Sequence, residues 1–337
     1  MSNNRNSNTP DPDKLIERLQ PKLQQLEQTR LDIRQKALKQ MGAIAALAIV
    51  VALVLALIIG IGTPNSGIGV FALFGGLVWI VILVPRGQRK WKEQAQRELV
   101  PIVCDTLDDN LDYQPEVSSR EYVKPFEVLE LVGKWNLGGA EHHFRGQHRD
   151  MKFEMAHGDL RSSRGTGKDS GTVPVFYGLL CRVQVPLDVD PGLSIRPNFG
   201  WFSKTFGKHA VATGDEQFDK TFLVSVENNS EKGPEVIKRV LTPELRESLL
   251  TINAREGKLA YNRPTFHAGF KYDSFYLALT LEEEGRSFGP IRTERRRQFL
   301  DVGHYLARES KLESGVKRMI DDINTIYRVI DMLEPAF

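Results

Sequence analysis

The densest group of side chains with chemical capacity is Glu141-His142-His143, with His148 and His157 close behind. Imidazoles and carboxylates are ligands that zinc takes, closed into a tetrahedron at structural sites and left one short at catalytic ones. In a strand, successive side chains point to opposite faces, so at most one of His142 and His143 shares a side with Glu141. Alternation gives that place to His143, and a third ligand has to arrive from His148 across a turn. Glu141, His143 and His148 are therefore the candidate metal ligands. The plainer reading stands beside it: tight zinc spacings are missing, and histidines in a strand pair are commonly packed or hydrogen-bonded residues.

Other patterns carry less. Gly165-Thr166-Gly167-Lys168-Asp169 looks like a phosphate loop, but Ser162 and Asp169 stand where that motif needs Gly and then Ser or Thr, so it reads as a hairpin loop. Asp105, Asp108, Asp109 and Asp112 fall at i, i+3, i+4 and i+7. On a helix they line up side by side instead of wrapping an ion, which reads as a solvated acidic face. Arg292, Arg295, Arg296 and Arg297 have no interleaved aromatics, and the chain's net charge of +2 makes no basic field, so nucleic acid is not an expected partner. No Gly-x-Ser-x-Gly elbow, His-Glu-x-x-His helix or kinase loop occurs, and no cofactor is implied. Cys104 and Cys181 have neither metal spacing nor a disulfide framework, as expected in a reducing compartment.

The elements around these residues begin with two uncharged apolar runs, Met41 to Gly62 and Gly67 to Val84, joined by Thr63-Pro64-Asn65-Ser66. Each approaches the ~20 residues that span a bilayer core, which predicts a two-span transmembrane helical hairpin. Arg30, Arg34, Lys36 and Lys39 precede it, and Arg86, Arg89, Lys90, Lys92 and Arg97 follow it. Positive-inside logic then expects an integral, multi-pass protein of the cell inner membrane with both termini cytoplasmic. Ala48, Ala52, Ala56 and Gly60 recur every fourth residue, and Ala72 with Gly76 adds a shorter stripe, so the hairpin is expected to pack closely on itself or on a second copy. Arg86, Arg89, Lys90 and Lys92 either contact lipid headgroups or merely fix topology.

Five segments follow. Residues 1–12 are a polar tail without apolar periodicity. Residues 13–40 read as a helix, with Leu19, Leu23, Leu26, Ile33 and Ala37 at heptad-like spacing that Arg30 interrupts and Pro21 weakens. Residues 41–85 are the hairpin, and 86–117 a juxtamembrane helix and linker. Residues 118–337 are expected to form a cytoplasmic α+β domain. There Met151, Phe153 and Met155, then Val175 to Val185 ending at Pro186, then Phe222 to Val226 and Phe275 to Leu281 alternate as strands. Thr242-Pro243 opens a helix that buries Leu245, Leu249 and Ile252. Leu312 to Leu333 carries a broad apolar stripe and predicts a long C-terminal amphipathic helix. The expected fold is a mixed, mostly antiparallel sheet with helices covering one face.

His143-Phe144-Arg145-Gly146, the strand through Phe153, Val175-Phe176-Tyr177-Gly178-Leu179-Leu180, Gln217 to Val224 and Leu241-Thr242-Pro243-Glu244-Leu245 together resemble a bacterial membrane-protein family of unknown function, DUF 3137. The chain departs from its simplest pattern in the insert Arg161 to Gly171. The resemblance implies a hairpin-anchored cytoplasmic domain and no established reaction or catalytic residues. It also implies a LemA-type protein as a neighbour in a membrane complex. Sequence alone therefore points to a membrane-anchored interaction module, an adaptor or assembly factor whose partners are the lipid bilayer, a second protein or a second copy. The alternative is a membrane-associated enzyme, metal-dependent through Glu141, His143 and His148, acting on an envelope or lipid-linked substrate.

Overall fold

A computed structural model of the chain describes residues 12–62, 96–97, 100–108, 110–164, 171–198, 210–256, 266–280 and 312–337. They group into two compact units. Of the described residues, the larger holds Pro12, those from 104 to 280 and 318–337, and the smaller holds those from 13 to 103 and 312–317.

The larger unit is built on seven strands: β1 (Asp112–Glu116), β2 (Leu137–His148), β3 (Met151–Arg164), β4 (Gly171–Pro197), β5 (Ala210–Val211), β6 (Phe222–Val226) and β7 (Phe266–Thr280). Their order is β1-β2-β3-β4-β6-β5, and every pairing among them is antiparallel. β4 is the spine. β3 and then β6 pair with one of its edges, while β7 runs along the other from Gly178 to Ile195. The sequence ends this strand at Pro186, but the chain regains the ladder at Val189 and Leu193 after two irregular steps. Those extra residues leave the ladder locally unpaired, as bulges do, and both Asp188 and Asp190 are exposed there.

Period-two patterning on both faces of β3 and β4 calls for cover on both faces, and the fold supplies it. On one face lies α2 (Ser119–Val128), whose Tyr122, Val123 and Phe126 pack with Ala156, Leu160, Leu180, Tyr276 and Ala278. The Tyr122 hydroxyl donates to the Leu180 carbonyl at 3.0 Å, so the buried phenol is satisfied. On the other face Tyr327 of α6 (Leu312–Leu333) sets its ring edge against Phe153, centroids 5.7 Å apart. The expectation of helices on a single face is thus corrected: Phe153, Met155, Cys181 and Val183 are as buried as Ala156 and Leu180, so each face needs its own helix.

Around the far half of β4 stand α3 (Glu216–Thr221), α4 (Gly233–Val240) and α5 (Pro243–Glu256). Asp215 caps α3 by accepting from Phe218 N. Thr242 caps α5, its Oγ1 accepting from Leu245 N at 3.3 Å, with Pro243 at the first helical position as its missing N–H favours. The α+β class, the antiparallel sheet and the C-terminal helix all stand as the sequence predicts them.

In the smaller unit, α1 runs unbroken from Pro12 to Gly62 and passes through Pro21. Leu15, Ile16, Leu19 and Leu23 are buried, and Lys317 reaches Asp13 at 2.6 Å. Among the described residues no helix is long and apolar enough to cross a membrane. That finding corrects the expectation of an integral, multi-pass inner-membrane protein with a two-span hairpin and cytoplasmic termini. The physical reason lies in the elements. Met41 to Gly62 is not a helix of its own but the continuation of a helix whose first half is charged, and the second run, Gly67 to Val84, lies outside the described residues. So do Ala72, Gly76, Arg86, Arg89, Lys90 and Lys92, and the side chains of Ala48, Ala52, Ala56 and Gly60.

Candidate functional site

Strand β2 should carry Glu141 and His143 on one face, and it does not. Glu141 stands opposite His157 and Phe144 opposite Met155, so His142 and His143 together face the single residue Ala156. Two residues against one is a β-bulge, and it reverses the in-out parity of everything after it. His142 absorbs the kink with a left-handed backbone, φ 55°. His143 turns to the α2 face, its ring edge-on to Tyr122 at 5.0 Å and its Nε2 3.6 Å from Glu154 Oε2. His142 turns the other way, its Nδ1 3.0 Å from the Tyr113 hydroxyl.

The predicted metal ligands are therefore separated. His148 Nε2 lies 2.9 Å from Asp331 Oδ1, and its ring stacks on Tyr327 at 4.5 Å, on the α6 side. Glu141 is exposed beside His157, whose ring meets Tyr177 edge-on. Among the described residues no group of three His, Cys, Asp or Glu side chains is placed to hold a metal ion. The helical stretch that carries Asp105 ends at residue 107, so Asp112 sits in β1 instead of continuing an acidic helix face. The loop 165–170 and Arg292, Arg295, Arg296 and Arg297 lie outside the described residues.

What the fold assembles instead is a row of charges across four strands that ends on an aromatic ring of a fifth. Register pairs Asp112 with Arg145, Arg145 with Glu154, Glu154 with Arg182 and Arg182 with Tyr276. Arg145 Nη2 donates to Asp112 Oδ2 at 2.8 Å, and the Arg182 guanidinium lies 5.9 Å from the Tyr276 ring centroid. His143 joins the row at Glu154. The polar contact with His143 is the largest cause that holds the Glu154 carboxyl below its usual 4.5; burial opposes the shift, and the charges of His143, Arg182 and Arg145 add to it. The His143 side chain is 5% exposed, and neither ring nitrogen has a hydrogen-bond partner of good geometry.

This cluster fixes charge but presents no activated nucleophile. The buried Ser274 hydroxyl accepts from Arg182 Nε at 3.1 Å and donates to Asp273 Oδ1 at 3.0 Å. Burial pushes the Tyr122 phenol well above its ordinary range, so it stays a neutral donor. Cys104 and Cys181 are free thiols. Burial, then Asp105 and Asp112, push Cys104 up to about 12, and burial raises Cys181 as well, so neither offers a thiolate at neutral pH.

Glu154, Arg182, Tyr122 and Ser274 escape a reading of spacings because four separate elements deliver them. One signal was present. On the second face of β4, Phe176, Gly178 and Leu180 are followed by Arg182, a charge that interrupts an otherwise apolar alternation.

No protein-family model matches the chain, and no curated protein matches it. Among solved structures, the crystal structure of the mycobacterial trehalose monomycolate transport factor A, TtfA, is similar over 65% of this chain and 88% of that chain, with 12% identity and a TM-score of 0.29. A likeness of that size carries no argument about fold or function.

Proposed function

We propose that the chain is an interaction module, an adaptor or assembly factor that binds a protein partner through the apolar second half of α1. The supporting observation is exposure. Leu47, Ile49, Val50 and Val54 are 65%, 54%, 54% and 51% exposed, on a stretch with no charged residue from Met41 to Gly62. Isolated exposed apolar residues are ordinary, but several large ones on one uncharged stretch of helix mark a surface that something covers. Leu47, Val50 and Val54 recur at i, i+3 and i+7, the spacing with which one helix meets another, so the partner surface is an apolar helix of a second protein.

Membership of the DUF 3137 family belongs to the same proposal, and it names a LemA-type protein as the first partner to try. Only the metal-dependent form of the enzyme reading is weakened, because the bulge in β2 parts His143 from Glu141 and His148. The deciding experiment is co-purification of the full chain with a LemA-type protein expressed beside it. A defined complex lost in Leu47→Gln/Val50→Gln/Val54→Gln but kept in Val128→Gln, a change at an exposed apolar residue of α2, is the expected result. A complex that tolerates the triple substitution equally well overturns the assignment of the surface, and absence of any complex overturns the partner.

A further inference from the structure

A second polar cluster lies on β4 beyond its irregular stretch, independent of α1. Ser194 is opposite Ser225 on β6 and Gly269 on β7. Next to the pair Ile195–Ala268, the antiparallel ladder brings Arg196 beside His267. The two serine hydroxyls are 2.8 Å apart, and Arg196 Nη2 donates to Ser225 Oγ at 3.3 Å. Arg196 Nη1 donates to Glu130 Oε2 at 2.9 Å.

Two nitrogens in this cluster are buried without a partner: Arg196 Nε and His267 Nδ1. Buried polar atoms are nearly always hydrogen-bonded and an orphan is costly, so two on neighbouring side chains call for a shared explanation. Water could satisfy one donor. The arrangement fits something more specific. Nε and Nη2 form the side-on edge of a guanidinium that grips an oxyanion through two parallel bonds, and here Nε is unpaired while Nη2 has one long contact. The Nη1 end is already taken by a carboxylate that is 69% exposed and so is free to swing into solvent.

We propose that Arg196, His267 and Ser225 form a site for a small oxyanion, a carboxylate or a phosphate group, on the guanidinium edge that Glu130 leaves open. Nε and Nη2 of Arg196 hold two of its oxygens, and Ser225 and His267 donate beside them. Burial, then the Arg196 charge, push His267 down to about 4, so at neutral pH it serves as an uncharged donor and the net attraction comes from Arg196. Glu130 holds the opposite end of the guanidinium at Nη1 and offsets its charge, which makes the site weak by construction and sensitive to one exposed side chain.

The test titrates the full chain with inorganic phosphate and, separately, with acetate, at ionic strength held constant with sodium chloride, following the Arg196 Nε–H and His267 ring resonances. Saturable shifts are expected, with tighter binding in Glu130→Gln. Loss of one charge-assisted pair predicts binding weaker by about tenfold or more in Arg196→Gln. Glu130→Gln changes an exposed residue and does not depend on Arg196→Gln folding. Response to both anions identifies a general oxyanion site, and response to phosphate alone a phosphoryl site. Shifts that never saturate in either protein, or an affinity unchanged in Glu130→Gln, overturn the proposal.

Discussion

Glu154 and Arg182 stand directly opposite one another on β3 and β4, at the point where the α2 face of the sheet passes from apolar packing to charge. On one side of that point lie Ala156 and Leu180 under α2; on the other, Lys152 and Gln184 are exposed. The pair is half-buried, so removing one of its charges is felt more than at the exposed Lys152 beside it.

Glu154→Gln is the direct probe. The carboxyl lies below 4.5 in the folded chain, so it contributes stability above 4.5 that is lost as pH falls through its lowered value. Thermal midpoints measured across that window should fall more steeply for the wild type than for Glu154→Gln. Equal slopes would mean that His143 and the two arginines do not act on this carboxylate.

His267 gives the opposite chemistry with the same direction. Its folded value of about 4 lies below the ordinary 6.5, so between these pH values the unfolded chain binds the proton more readily. Its contribution is complete above 6.5 and declines as pH falls toward 4. His267→Gln should flatten the stability profile in that interval, read by denaturant unfolding at pH steps, and an unaltered profile would refute the assignment.

Gly138 has φ +85°, and a Cβ there would lie 1.9 Å from the Asp159 carbonyl oxygen. Backbone strain alone is worth about 1–3 kcal/mol, and the clash is with main chain that cannot rotate away. Gly138→Ala should therefore lower stability by at least that amount, whereas Gly171→Ala, with nothing within 4 Å, should be close to neutral.

Phe126 is fully buried between α2 and the sheet, its ring edge-on to Tyr276 at 5.2 Å. Truncation to Ala leaves a cavity and should cost about 3–5 kcal/mol in urea unfolding. Tyr122→Phe removes only the hydroxyl on the Leu180 carbonyl and should cost about 1 kcal/mol. A Phe126→Ala protein as stable as Tyr122→Phe would mean that α2 does not pack on this face in solution.

Local pattern was enough for much of the fold. Period two placed β3, β6 and β7, the Thr242-Pro243 pair opened α5 where it begins, and the stripe from Val316 to Leu333 is buried at Val316, Met319, Ile320, Ile323, Ile326, Tyr327, Ile330 and Leu333. These are consequences of residues within a turn or two of one another, and each element obeys its own hydrophobic period. Pattern failed where a strand changes phase. An inserted residue in β2 leaves the composition of the strand intact while reversing its faces, and β4 continues past Pro186 because β7 and β6 hold it from either side.

Hydropathy placed an apolar run at Met41 to Gly62 but not its element. Continuity with the charged helix from Pro12 makes it part of α1. The sequence by itself determined which residues could carry charge and which had to be buried, since both follow from side-chain type and spacing. Only the tertiary structure decided that His143 meets Glu154 instead of Glu141, and that Arg196 and His267 lie side by side. Strand register sets those meetings, β2 against β3 for the first and β4 against β7 for the second, and a single added residue in β2 is enough to change the first.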